Sequence, residues 1–110
     1  MSSQHARFIK EHQNRETIEH DYGFIVYSFG LDGNCYIGDI WVEPEERQNG
    51  RGRQLLDEVI AIAKEKQCFA LIGCTELSYN HPELSMLSML HTGFVPFTVV
   101  GNAVFFKREL

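Results

Sequence analysis

The order of apolar runs and turn signals in this 110-residue chain predicts an α/β (α+β) fold: a mixed central sheet with elements in the order β-β-α-β-α-β-β and helices on both faces. Three observations carry that expectation. Tyr22 to Phe29 and Phe69 to Cys74 are short, nearly continuous apolar runs rich in aromatic and β-branched residues, the pattern of strands covered on both sides. Between them, Leu55, Leu56, Val59, Ile60 and Ala63 recur at helical spacing, with Asp57, Glu58, Lys64 and Glu65 largely off that stripe. A strand at Cys35 to Val42, this helix and the run from Phe69 then form a β-α-β unit, because parallel neighbours are joined through such a crossover.

The remaining elements follow in order. Residues 1–21 are weakly predicted: Arg7 to His20 is polar and charged, with Phe8, Ile9 and Ile18 as its large apolar positions, so a helix there has little to bury. Leu31-Asp32-Gly33-Asn34 is turn chemistry between the first two strands, and Pro44 stops the second. Pro82 suits the first turn of a second helix that carries Leu84, Met86, Leu87 and Leu90 toward a stop at Gly93. Phe94 to Val100 and Asn102 to Lys107 read as closing strands around a Gly101-Asn102 turn. No repeat, low-complexity tract or linker interrupts the chain, so residues 1–110 are expected to form one domain.

Composition narrows the function classes. No run of about 18 apolar residues is present and the start Met1-Ser2-Ser3-Gln4-His5 is polar, so neither a membrane span nor a secretory signal is expected, and the reading is cytoplasmic. Cys35, Cys68 and Cys74 lie in or beside apolar stretches without a C-x-x-C pair, as reduced, buried thiols would. A net charge of −5 argues against nucleic-acid or anionic-membrane partners, which are held by basic surfaces. The local exception is Arg47, Arg51 and Arg53, a cluster scaled to a small anion. His5, His12, His20, His81 and His91 have no paired metal-ligand spacing, so no metal is expected.

The stretch with chemical content is Asp39 to Leu56. A strand enters a loop, and the loop opens a helix whose first N–H groups lack helical partners. With glycine permitting close backbone approach, that arrangement binds phosphate. The two glycines alone would suit an ordinary strand-to-helix turn. A Walker loop would need Lys-Ser or Lys-Thr after Gly52, where Arg53-Gln54 stands, and a dinucleotide loop would need a third glycine.

Arg47-x-x-Gly50-x-Gly52, with Ile40-Trp41-Val42-x-Pro44 before it and Leu55-Leu56 after it, resembles the pyrophosphate loop of the GNAT acetyltransferases. The likeness extends through Asn80, the second helix, Gly93-Phe94 and the closing strands, about Tyr22 to Leu110. The resemblance implies a GNAT-like fold and transfer of an acetyl group from acetyl-CoA to an amine by direct attack. It also implies cofactor contacts from Ile40, Trp41, Val42, Arg47, Gln48, Asn49, Gly50, Arg51, Gly52, Arg53 and Asn80. Backbone around Ile40 to Val42 would face the thioester.

Such a reaction needs a base for the amine, a donor for the oxyanion and an acid for the thiolate. Asp39, a carboxylate within an apolar strand, is the first candidate base, since desolvation there would strengthen it; a sheet-edge position or an arginine partner is the alternative. Glu76 is the second candidate. The family's tyrosine, four residues before the Gly-Phe pair, is replaced by Met89, leaving Tyr79, Ser85, Ser88, His91 or water as acid. Asn80 stands two residues farther from that pair than the family pattern has it. Family members also carry a longer front, and here 21 residues precede Tyr22. An open acceptor groove of that kind suits a peptide or protein amine, and an uncovered apolar cleft would favour a homodimer. The alternative function is a catalytically impaired acyl-CoA-binding or interaction module.

Overall fold

The computed structural model describes residues 3–78 and 82–110. In it the seven predicted elements appear in the predicted order, preceded by two more. Helix α1 (Gln4–Gln13) and strand β1 (Glu16–His20) come first, then β2 (Gly23–Phe29), β3 (Cys35–Val42), a 3₁₀ turn at Pro44–Glu46, α2 (Arg51–Glu65), β4 (Ala70–Glu76), α3 (Pro82–His91), β5 (Val95–Val100) and β6 (Ala103–Glu109). One open sheet of six strands runs in the spatial order β1-β2-β3-β4-β6-β5. All its pairings are antiparallel except β3 with β4, the parallel pair that the α2 crossover requires.

The first 21 residues are better ordered than their polarity suggests, for a local reason. Ser3 Oγ accepts the Ala6 N–H at 3.0 Å, satisfying one of the orphan donors of α1, and Asn14 ends the helix in a left-handed turn. Ala6 and Ile9, three residues apart and so on one side of the helix, are buried. β1 then gains stability by pairing along β2 from Glu16↔Tyr27 to His20↔Gly23, a long-range partner invisible to local periodicity.

Strand alternation divides the core into two unequal faces. Ile25 and Tyr27 join Cys35, Leu71 and Phe106 beneath Leu55, Leu56, Val59, Ile60 and Ala63 of α2. Met86 and Met89 of α3 pack against the same cluster, so α2 and α3 cover one side of the sheet. On the other side lie Phe24 and Val26, and there α1 is the cover: its His5 ring stands 5.8 Å from that of Phe24. The expected helices on both faces are therefore present. α1 reaches only the β1–β2 end, which leaves Ile72, Phe97 and Phe105 on an open floor toward the other edge.

Cys35 is buried as expected, and burial pushes its thiol up to about 12. The expectation of buried thiols fails at Cys74, which is exposed toward the end of β4 on the side of Ile72. No helix among the described residues is long and apolar enough to cross a membrane.

Leu55 is fully buried at the centre of the main cluster. Leu55→Ala is expected to lower unfolding stability by about 2 to 5 kcal/mol, the cost of lost burial plus the cavity left behind. Urea titration should show a lower midpoint with an unchanged slope; an unchanged midpoint would mean that α2 does not anchor this core.

Candidate functional site

The site is created by a mismatch in strand pairing. Ile25 pairs with Ile40, and Tyr27 with Ile37, so two steps along β2 correspond to three along β3. One residue of β3 is therefore extra, a β-bulge at Gly38-Asp39 that reverses the alternation beyond it. Ile37 and then Ile40 and Val42 face α2, while Asp39 and Trp41 are turned to the α1 side with Phe24. On its other edge β3 pairs with β4 only at Cys35↔Leu71 and Tyr36↔Ile72, and then the two strands part.

A cavity of about 140 Å³ fills the space between the parted strands and the helices. Ile37, Ile40, Leu56, Phe94 and Met89 give it apolar walls, Gly73 its floor, and Gly52 and Arg53 its rim. At that rim α2 begins. Gly50, at φ +78, is its N-cap in a left-handed conformation that side-chain-bearing residues adopt reluctantly. A Cβ added at Gly52 would meet nothing closer than Ile40 Cδ1 at 3.9 Å, so the missing side chain leaves open space above the cavity. The first N–H groups of the helix, at Arg51, Gly52 and Arg53, converge there without i−4 partners.

The arginines divide their roles. Arg47 donates through Nε to the Val42 carbonyl at 2.9 Å and ties the loop to the end of β3. Arg51 turns inward: Nε donates to Glu46 at 3.2 Å, Nη1 to Gln54 at 3.1 Å, and the guanidinium lies 4.6 Å from the centre of the Tyr22 ring. Arg53 is the one whose side chain borders the cavity. Gln48, at φ +66, and Asn49 are exposed in the turn. Of the three β3 residues expected at the cofactor, Ile40 lines the cavity and Val42 packs into the core. The Trp41 ring lies on the opposite face, stacked on Phe24 at 6.2 Å. Asn80 lies outside the described residues, as does Tyr79.

The two candidate bases share a face. Asp39 sits with Phe24, Ile40 and Trp41 around a shallow depression on the α1 side. Its expected desolvation is not met: the bulge turns the carboxylate out of the strand's apolar surroundings, and it is exposed. Glu76 is exposed at the end of β4, on the side of Ile72 and Cys74, because the unbroken register with β6 keeps alternation intact. Ile40 borders both the cavity and the depression, and it lies in the part of β3 beyond its pairing with β4.

Met89 lines the cavity and packs on Gly73, where an added Cβ would come within 3.0 Å of its Cε. Ser88 and Thr92 line it too, although Thr92 Oγ1 is engaged with the Ser88 and Met89 carbonyls at 3.0 Å each. Sequence reasoning missed Gly73, Thr92, Phe24 and Gly38 as parts of this region. Gly73 and Gly38 are positions where a side chain would collide, which only the packed structure reveals. Among the described residues no group of three or more His, Cys, Asp and Glu is placed to hold a metal.

The site is thus a cavity between parted parallel strands that opens at a glycine-bearing helix start. The model of the acetyltransferase (GNAT) family matches residues 8–91, and the chain belongs to that family. Among solved structures, a GNAT-family protein from Desulfovibrio desulfuricans superposes with a TM-score of 0.79 at 19% identity, covering 94% of this chain and 77% of that one. A GNAT family acetyltransferase from Elizabethkingia anophelis, solved with acetyl-CoA bound, gives 0.74 at 20% identity, covering 98% and 84%. The PaiA N-acetyltransferase from Thermoplasma acidophilum, in complex with coenzyme A, gives 0.74 at 16% identity, covering 93% and 66%. Among curated proteins no sequence matches this chain.

Burial raises the Cys74 thiol above its ordinary value, and the neighbouring Glu76 carboxylate raises it further. At neutral pH its thiolate fraction, and hence its alkylation rate, should be below that of an unperturbed exposed cysteine and should climb with pH. Glu76→Gln removes the charge and is expected to speed iodoacetamide labelling of Cys74 at pH 8. Mass spectrometry of timed samples checks this; equal rates would mean that Glu76 and Cys74 do not face the same gap.

Proposed function

We propose that the chain is an acetyl-CoA-dependent N-acetyltransferase in which the acyl donor enters from the α2 side of the sheet and the amine from the α1 side. The observation that carries this reading is Ile40, which borders both the cavity and the opposite depression at the gap between β3 and β4.

The residues suit the donor. Unpartnered N–H groups at Arg51, Gly52 and Arg53 and the Arg53 side chain offer positive potential for a pyrophosphate, and Gly52 leaves the backbone accessible. Arg47 positions the loop, with Gln48, Asn49 and Gly50 completing it. The apolar walls at Ile37, Ile40 and Phe94 fit a pantetheine arm, and the edge of β3 toward β4, unpaired beyond Tyr36, offers backbone donors near the bulge. Asn80 retains the family-implied role at the cofactor. Bound acetyl-CoA supplies an activated thioester and a thiol leaving group.

Asp39 takes the proton of the incoming ammonium, and Glu76, across the gap on the same face, is the second candidate. Phe24 and Trp41 beside Asp39 offer ring faces to a cation before it is deprotonated. Backbone N–H groups of β3 stabilise the oxyanion. Met89 holds no transferable proton, so Ser88 or water returns one to the departing thiolate. A second reading, a binding module that retains the cofactor pocket without turnover, is favoured by Met89 in the cavity wall. The acceptor is an amine, a peptide or protein amine included, and a homodimer is the expected assembly.

Acetyl-CoA should raise the melting temperature, because a ligand bound only by the folded state stabilises it by mass action. Gly52→Val places a branched side chain over the cavity and should abolish that shift; equal acetyl-CoA affinity by calorimetry would remove the loop assignment. Asp39→Asn should leave acetyl-CoA affinity near the wild-type value while lowering turnover by roughly two to four orders of magnitude and removing the acidic limb of the pH–rate profile. Met89→Leu, which preserves volume, should change little. Steady-state kinetics across pH decide the roles: full activity in Asp39→Asn transfers that of base to Glu76, and acetyl-CoA binding without CoA release in the wild type favours the binding module.

A further inference from the structure

Arg15 lies between α1 and β1, yet its guanidinium reaches across β2 to β3. A Cβ added at Gly38 would fall directly on Arg15 Nη2, with Cζ and Nε behind it, so the Nη2 end of the guanidinium occupies the space that a side chain at Gly38 would fill. Gly38 has no left-handed backbone angle among the positive-φ residues of the chain. Its lack of a side chain therefore serves space rather than conformation, and that space is taken by Arg15.

The placement matters because Gly38 is half of the bulge. Arg15 is packed on Gly38, the chain neighbour of Asp39, and Asp39 lines the depression with Phe24 and Trp41. Nη1 donates to Gln13 Oε1 at 3.0 Å, and among the described residues no carboxylate lies within ion-pairing distance of the guanidinium. Lys10, by contrast, is paired with Glu16, and Arg51 with Glu46. The α1 face around the gap thus presents two exposed carboxylates, Asp39 and Glu76, and one guanidinium held in a fixed place with donors to spare. With Nη2 against Gly38 and Nη1 on Gln13, the guanidinium keeps N–H groups that can donate to a carboxylate.

Resting on the transferase reading above, we infer that Arg15, seated on Gly38, is a carboxylate subsite for the acceptor, which is therefore an amine that also bears a carboxylate, as amino acids and short peptides do. The amine goes to Asp39 and the gap; the carboxylate goes to Arg15. A simple amine would fill half of this arrangement and leave the guanidinium without its anion.

The experiment measures CoA release with matched acceptors: a set of α-amino acids and dipeptides, their carboxamides, and the corresponding amines lacking the carboxylate. The acid of each pair should exceed its amide in kcat/KM by about 10- to 100-fold, the range for a charged hydrogen-bonded pair, with the difference mainly in KM. Arg15→Gln should bring the acid-to-amide ratio close to one, Arg15→Lys should restore part of it, and Gly38→Ala should lower it by displacing the guanidinium. The acetyl-CoA thermal shift of each variant verifies its fold. A wild-type ratio near one, or a ratio that survives Arg15→Gln, overturns the subsite and leaves acetyl transfer standing. If acetyl-CoA binds but no amine of any type releases CoA, transfer itself is overturned and the subsite with it.

Discussion

β3 is held to β4 at only two positions, Cys35↔Leu71 and Tyr36↔Ile72, whereas β4 pairs with β6 along its full length and β3 with β2 along nearly all of its own. The extra residue at Gly38-Asp39 bends β3 away just where parallel pairing stops. The proposed acyl-transfer site lies in that opening. Buried backbone groups that lose a strand partner must find another, and a break of this kind is tolerated only where something else can pair with them. Ile40, beyond the last β3–β4 pair, borders hollows on both faces of the sheet.

Around that opening the charges are sorted by face. The α2 side offers a helix start, the apolar walls of the cavity and Arg53, while Arg51 is withdrawn into contacts with Glu46 and Tyr22. His20 reaches Glu58, midway along α2, at 2.8 Å and stacks on Tyr22, on which Arg51 at the start of α2 also lies, so the β1–β2 turn and α2 are bound to one another. The effect is to brace the N-terminal half of the helix against the turn that leads into β2. The α1 side carries Asp39, Glu76 and Arg15 on an open floor. On the proposed reading, donor and acceptor would approach from opposite faces and meet at the gap, a division set by strand alternation rather than by any special residue.

Most of the architecture was legible in the chain because it rests on local signals. The alternation and apolar content of Tyr22 to Phe29, the spacing of Leu55 to Ala63, Pro44 as a stop, and the Asp32-Gly33 and Gly101-Asn102 turns each act within a few residues of themselves. The segment before Tyr22 was not legible in this way. β1 is polar, and its stability comes from hydrogen bonds to β2 rather than from its own composition, while α1 buries only one small side and depends on Ser3 and on the strands beneath it.

For the site, sequence alone determined the glycine-bearing loop, its place between a strand and a helix, and the identity of the family that this pattern resembles, since these depend on residue types at fixed separations along one stretch of chain. Only the tertiary structure decided which way the residues point. Asp39 is exposed and Trp41 is turned from the cavity because one bulged residue reverses the alternation of β3, and a bulge is fixed by the register of two strands, not by either one. Arg51 looked equivalent to Arg53 until folding gave it Tyr22 and Glu46. Arg15 and Gly38, far apart in sequence and unremarked in it, become one unit because a side chain long enough to cross β2 meets the one position of β3 with room to receive it.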